Sequence, residues 1–183
     1  MTLVKSFEMG ISYARVYVVN ADDPDATTLY FEEQHYRQGF AWSPHDAEFD
    51  VDLSFRLREL ECIGGLFEVH LADQIELAPD SERAILLPFK VGKEGIYVWE
   101  VSSDPTYVSI PEGQYALLFE LKPRDDPEYL NSAEYQSYLE TRFIQIWCRL
   151  TFVPQEVVEP AILRVDEYLS PTYPLLMEAE PNQ

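Results

Sequence analysis

Polar and apolar residues alternate with a period of two along most of this chain, the pattern of half-buried β-strands. Residues 10–19, GISYARVYVV, set Ile11, Tyr13, Arg15, Tyr17 and Val19 against Ser12, Ala14, Val16 and Val18. The run is rich in β-branched and aromatic side chains and reads as one strand. GGLFEVHLAD is a second strand, with Gly64 and Gly65 as the turn leading into it. RAILLPFKVG is apolar enough to be central, yet Pro88 has no N–H to donate, so a bulge or an edge is expected there. GKEG reads as a hairpin turn into IYVWEV. TYVSIPEGQYALLFEL holds two strands around the turn Pro111, Glu112, Gly113. In RFIQIWCRLTFVP, Ile144, Ile146, Cys148, Leu150 and Phe152 alternate with Gln145, Trp147, Arg149 and Thr151.

The helical period is scarce. LYFEEQHYRQG reads as one short helix, with Leu29, Phe31 and Tyr36 on a shared face and Gly39 where a C-terminal cap belongs. DDPEYLNSAEYQSYLE is polar and partly helical, with Ser132 as candidate N-cap. PAILRVDEYL is a last short strand or a helical turn. SPTYPLLMEAEPNQ carries three prolines, no basic residue and no period. These elements predict an all-β chain: an antiparallel β-sandwich with one or two short helices over residues 1–168, then a Pro-rich C-terminal tail over 169–183. The length, 183 residues, suits one domain with an extended tail.

One strand is unusual. In DAEFDVDLSF, residues 46–55, the apolar set is Ala47, Phe49, Val51, Leu53 and Phe55, and the polar set is Asp46, Glu48, Asp50, Asp52 and Ser54. Same-face side chains on a strand sit about 6.7 Å apart, so the carboxylates would form a line about 20 Å long. Neighbours at that spacing repel by about 0.6 kcal/mol in water before screening. Cross-strand Lys or Arg can absorb such repulsion. Arg56 and Arg58 continue the face only at its far end. The pitch also approaches that of phosphates along a nucleic-acid strand. A fixed row of carboxylates at this pitch is therefore a candidate imitation of a phosphate backbone. Asp46, Glu48, Asp50 and Asp52 are the candidate partner contacts, with Trp42 as a nearby aromatic anchor.

Composition sharpens this. Asp and Glu number 33 against 13 Lys and Arg, a formal net charge of −20. Direct binding to nucleic acid or insertion at an anionic membrane needs basic surface and is not expected. A basic protein partner, metal cations or plain solubility all fit the surplus. No apolar run approaches the roughly 20 residues of a membrane helix, and the start, MTLVKSFEMG, lacks an apolar signal core. A soluble cytoplasmic protein is the expectation, with Cys62 and Cys148 reduced and buried.

Catalytic signatures are missing from the sequence. It contains no G-x-S-x-G, no P-loop and no G-x-G-x-x-G, and His35, His45 and His70 lie in no metal-binding spacing. His70, between Val69 and Leu71, reads as a surface or hydrogen-bonded structural residue. The loops with Asp22, Asp23 and Asp25, and with Asp125, Asp126 and Glu128, supply oxygens suited to calcium but match no calcium-loop pattern. No enzyme, cofactor or metal site is expected.

GISYARVYVV, GFAW, LPFKVGKEGIYVWEVS and VSIPEGQYALLFEL occur in this order. Together they resemble the competence protein J family, bacterial inhibitors of a DNA-entry nuclease, over about Phe7 to Leu121 and the strand at Phe143 to Phe152. The resemblance implies a small β-rich protein that binds and blocks a secreted or membrane-associated nuclease. The chain departs from the family in the insert DDPEYLNSAEYQSYLE and the Pro-rich extension. The expectation is a stoichiometric, immunity-type inhibitor of a nuclease or toxin whose acidic surface imitates phosphate. The alternative is a non-enzymatic β-sandwich module, binding a peptide or calcium, whose acidity serves solubility.

Overall fold

The computed structural model describes residues 1–23, 29–52, 63–124, 131–133, 144–177 and 179. In chain order the elements are β1 (Thr2–Ile11), β2 (Arg15–Asn20), α1 (Glu33–Gln38), β3 (Phe40–Trp42), β4 (Asp46–Asp50), β5 (Ile63–Leu71) and β6 (Arg83–Val91). There follow β7 (Ile96–Trp99), β8 (Thr106–Val108), β9 (Gly113–Pro123), β10 (Ile144–Pro154) and β11 (Ala161–Arg164). They form a six-stranded sheet in the order β1-β5-β10-β9-β6-β11 and a five-stranded sheet in the order β3-β4-β2-β7-β8. The expected β-sandwich is present. One pair departs from the antiparallel rule: β5 and β10 run parallel, because their connection crosses over rather than turning back.

The alternation read along the chain places the core. Val16, Val18, Phe49, Val51, Ile96 and Val98 from the smaller sheet meet Phe67, Ile85, Leu87, Phe119, Cys148, Leu150 and Phe152 from the larger, all fully buried. The Phe49 and Phe119 rings stack across the two sheets with centroids 4.3 Å apart, a contact that adds about 1 kcal/mol to area burial.

Three local turns, two of them expected, carry the chain from one sheet to the other. GISYARVYVV is not one strand: β1 lies in the larger sheet and β2 in the smaller, with Ala14 between them at φ 53. That left-handed conformation costs a non-glycine residue about 1–2 kcal/mol. The Ala14 carbonyl accepts the Val51 N–H at 2.8 Å, which holds the crossing in place. GKEG turns tightly, with Gly95 at φ 78, but β6 and β7 belong to different sheets, so they are not hairpin partners. A side chain at Gly95 would start 2.7 Å from the Val108 carbonyl oxygen. Between β8 and β9, the Tyr115 hydroxyl donates to the Pro111 carbonyl at 2.9 Å and pins the third crossing.

Gly64 and Gly65 are not a turn. They pair with Gly10 and Met9 inside the β1–β5 ladder. The Phe67 ring lies over Gly65, where a Cβ would come within 2.5 Å of it, and stacks on Phe7 at 5.5 Å. Pro88 does sit at an edge, since β11 pairs only with the Ala84–Leu86 stretch of β6. Its carbonyl accepts the Trp42 indole N–H at 2.6 Å on the side away from β9.

Helix α1 ends as expected at Gly39, φ 80, whose N–H bonds the His35 carbonyl at 2.8 Å. Leu29 and Phe31 are buried beneath this segment, and Tyr36 packs edge-on to Phe31. PAILRVDEYL supplies the strand β11. Most of the insert DDPEYLNSAEYQSYLE falls outside the described residues. The segment after Tyr168 runs along α1 and β3: Ser170 N–H bonds the Arg37 carbonyl at 2.9 Å, and Ala179 N–H bonds the Trp42 carbonyl at 2.9 Å.

Candidate functional site

Strand β4 lies between β3 and β2 in the smaller sheet. Its apolar face, Ala47 and Phe49, points into the core. Its acidic face is covered in turn by the segment that leads through Leu29 into α1. Glu48 is 0% exposed and accepts hydrogen bonds from Arg15 Nη1 at 2.9 Å and from the Leu29 N–H at 3.0 Å. Arg15 itself lies over the Phe31 ring, 4.2 Å from its centroid. Burial raises the Glu48 carboxyl above its ordinary range, and the Arg15 guanidinium pulls it back.

Asp50 is 4% exposed. Burial pushes its carboxyl up to about 6, against the pull of Arg83, whose Nη1 lies 3.9 Å away. Arg83, reaching over from β6, is fully buried. It donates to the Asp50 main-chain carbonyl, to the Asp52 carbonyl at 2.9 Å and to Asp166 Oδ2 through Nε at 2.8 Å. Asp52 is half-buried, and burial raises its carboxyl too. The solvent-facing row expected at 46–52 is therefore corrected. At its centre, Glu48 and Asp50 are internal groups compensated by arginines from β2 and β6. Two cations reached by folding, not by neighbouring sequence, absorb the repulsion. Arg56 and Arg58 lie outside the described residues.

Asp46 alone reaches a different environment. It sits where the ends of β2, β4 and β6 meet the β3–β4, β6–β7 and β8–β9 connections. Buried Asn20 ties this end together. Its amide donates to the carbonyls of His45 at 2.6 Å and Lys90 at 2.8 Å, and accepts the Gly92 N–H at 2.6 Å. Asp22 accepts the Glu94 N–H at 3.2 Å, and its carboxylate occupies the space a side chain at Gly92 would need. The Lys90 N–H bonds the Pro44 carbonyl at 3.1 Å. A cleft of about 460 Å³ opens here, lined among others by Asp22, Asp23, Asp46, Glu112, Lys90 and Lys93. Ser43 Oγ bonds Asp46 Oδ2 at 3.3 Å, while Asp46 Oδ1 takes no hydrogen bond among the described residues. Burial raises the Asp46 carboxyl, Ser43 lowers it and the Asp23 charge raises it further.

Asp22, Asp23, Glu94 and Glu112 are exposed on this end. Asp22, Asp23 and Glu94 stand on turns crossed by main-chain or Asn20 hydrogen bonds, and Glu112 on the turn whose Pro111 carbonyl accepts the Tyr115 hydroxyl, so the charges are held at the rim. In the sequence Asp22 and Asp23 read only as oxygens suited to calcium, and Asn20, Glu94 and Glu112 are outside the expected contact set. The available signal was local: acids inside the turn sequences GKEG and PEG. Trp42, half-buried, begins next to this end but has its indole N–H committed to Pro88.

Other candidates for chemistry are dispersed. Among the described residues, no three His, Cys, Asp or Glu side chains come together to hold a metal ion. Asp25 and the loop of Asp125, Asp126 and Glu128 lie outside those residues. His35 is buried, accepting the Glu32 N–H at 3.0 Å, and burial lowers its imidazole. His70 is buried with Nε2 3.3 Å from Glu68. Cys148 is free and fully buried, its thiol pushed well up by burial. Cys62 is not among the described residues. No helix among them is long and apolar enough to cross a membrane.

The family model of competence protein J (ComJ) matches residues 8–153. The chain belongs to the competence protein J family. Among solved structures, the crystal structure of ComJ from Bacillus subtilis, described as an inhibitor of the DNA degrading activity of NucA, matches with a TM-score of 0.56. The two are 18% identical over 83% of this chain and 98% of that one. At that identity the match establishes a shared fold. No curated protein matches the chain.

In this competence protein J family member the family match starts within β1 and stops near the end of β10. Strand β11, Asp166 and the segment along α1 all lie beyond it. The buried Arg83–Asp166 pair therefore joins the family body to its C-terminal extension. The acidic end described above lies wholly within the matched residues.

Proposed function

We propose that the chain is a stoichiometric protein inhibitor of a DNA-degrading nuclease, a cytoplasmic binding protein and not a catalyst. The observation that carries this reading is family membership across residues 8–153. The inhibitory role described for the B. subtilis protein of the same fold supports it. A nuclease must grip phosphates with basic surface, and a chain of net charge −20 is drawn to such a surface while being repelled by DNA itself.

The docking surface in this reading is the rigid acidic end. Asp22, Asp23, Asp46 and Glu112 stand where a phosphate run would enter the nuclease cleft, with half-buried Trp42 beside them as an apolar flank. Glu48 and Asp50 contribute by holding β4 in place, since carboxylates buried against Arg15 and Arg83 have no free face to offer. Asp52, half-buried next to Arg83, belongs with that internal group.

The test is DNA cleavage by candidate secreted or membrane-associated nucleases mixed with the purified chain. Cleavage should stop near equimolar inhibitor, and the affinity should fall steeply with added salt because charge-steered association is screened. Full cleavage at a large molar excess of the chain, for every nuclease encoded near it, would refute the proposal.

A further inference from the structure

The C-terminal extension is held in an unusual way. Residues 170–177 and Ala179 lie between α1 and β3, and the described bonds that hold them go mainly to their backbone. The buried Gln38 amide donates to the Leu176 carbonyl at 2.7 Å and accepts the Leu176 N–H at 3.0 Å, as a neighbouring strand would. Gln34 donates to the Pro174 carbonyl at 3.0 Å. The carbonyls of Arg37 and Trp42 accept the N–H groups of Ser170 and Ala179. One of these bonds goes to the edge strand β3 and the others to α1, and capture of a segment by its main-chain groups beside a sheet edge is related to peptide recognition by strand addition.

The two halves of the extension differ in anchoring. At the root, Asp166 is bonded to Arg83 and accepts the N–H groups of Tyr168 at 3.0 Å and Leu169 at 3.1 Å. Leu169 is 6% exposed and packs over Gly39, where even a Cβ would come within 2.8 Å of it. Past Ser170 the segment is shallow: Thr172, Tyr173 and Pro174 are exposed, and Leu175, Leu176 and Met177 are only half-buried. Segments with little buried apolar surface open locally at far lower cost than the core.

We infer that the α1–β3 groove is a recognition site for an extended peptide, occupied in cis by the chain's own C-terminal strap. The strap leaves as a unit from Ser170 onward while the body stays folded. Its departure frees the edge of β3 and the Gln38 amide, which presents a donor and an acceptor to one residue of an incoming strand. The ligand class is an extended segment with aliphatic side chains at the places of Leu175 and Met177.

Native-state hydrogen exchange on the full chain tests the opening. The amides of Ser170, Leu176 and Ala179 should exchange at least about 100-fold faster than those of Leu118 and Leu150, at rates insensitive to low urea, as local opening requires. Gln34→Ala, which loses one bond to the strap, should speed the strap amides several-fold and leave the core amides unchanged. A labelled peptide of residues 168–179 should bind the full chain saturably, and Gln38→Ala should weaken that binding at least tenfold. Strap amides that exchange only together with the core overturn the inference. So does a peptide that fails to bind, or strap exchange indifferent to Gln34→Ala.

Discussion

Two groups of carboxylates, one strand apart, behave as different kinds of matter. Glu48 lies under the segment that leads from Leu29 into α1 and faces Arg15 on the neighbouring strand β2, while Asp50 faces Arg83, which reaches over from the other sheet. Asp22, Asp23 and Glu112 stand at the end of the same sandwich, the first two exposed on a turn tied by Asn20 and main-chain bonds and the third on a turn pinned by the Tyr115 hydroxyl. Asp46 belongs to the row of the first group and to the cleft of the second. The contrast teaches that a run of acids in sequence says little about charge presented to a partner. Internal acids set the architecture, and acids on pinned turns set the field.

The largest effect should come from breaking the internal group. Arg83→Ala leaves Asp50 and Asp166 buried without their cation, and should cost about 3–5 kcal/mol in urea unfolding. An unchanged unfolding midpoint would mean that Arg83 is not the clamp the structure shows. Glu48→Gln is milder, because the amide keeps the shape and one acceptor while losing the charge opposite Arg15. A loss of about 1–3 kcal/mol is expected, with inhibition per folded molecule intact.

The comparison also has a pH signature. The Asp50 carboxyl titrates near 6 when folded, above the ordinary aspartate value of about 3.9 in the unfolded chain. Between those values the folded state holds more protons than the unfolded state, so this group's contribution to stability falls as pH rises from about 4 to 6. His35 runs the other way, since its lowered imidazole favours the folded state as pH rises. Subtracting an Asp50→Asn variant isolates the aspartate. The parent should lose up to about 2 kcal/mol relative to the variant between pH 4 and pH 7. A pH-independent difference would mean that Asp50 ionises normally in the fold.

At the exposed end the stability effect should be the smallest and the functional one decisive. Asp22→Asn, Asp23→Asn and Glu112→Gln together should shift stability by no more than about 0.5 kcal/mol per site. They should weaken nuclease inhibition at low salt by tenfold or more. Equal inhibition by the triple variant and the parent would remove the acidic end from the interface and leave the inhibitor reading itself standing.

Much of the scaffold was legible along the chain. The alternation at Ile146, Cys148, Leu150 and Phe152, the cap at Gly39 and the edge at Pro88 follow from local rules of burial, left-handed backbone and missing donors. The crossings at Gly95 and Pro111 were legible as turns but not as changes of sheet, and the one at Ala14 was hidden inside an unbroken alternation. A tight turn looks alike whether its two strands pair with each other or with strands far away in sequence.

Period two, the charge surplus and the family pattern are properties of the sequence alone, and they determined a sandwich, an acidic molecule and its kinship. Which side of β4 meets water was decided only by the tertiary structure. Alternation separates two faces of a strand and is blind to a further layer laid over one of them. Arg15 and Arg83 each lie 33 residues from the carboxylates they neutralise, Glu48 and Asp50. The first pairing exists only once β2 lies beside β4 in one sheet, the second only once the two sheets have closed on each other.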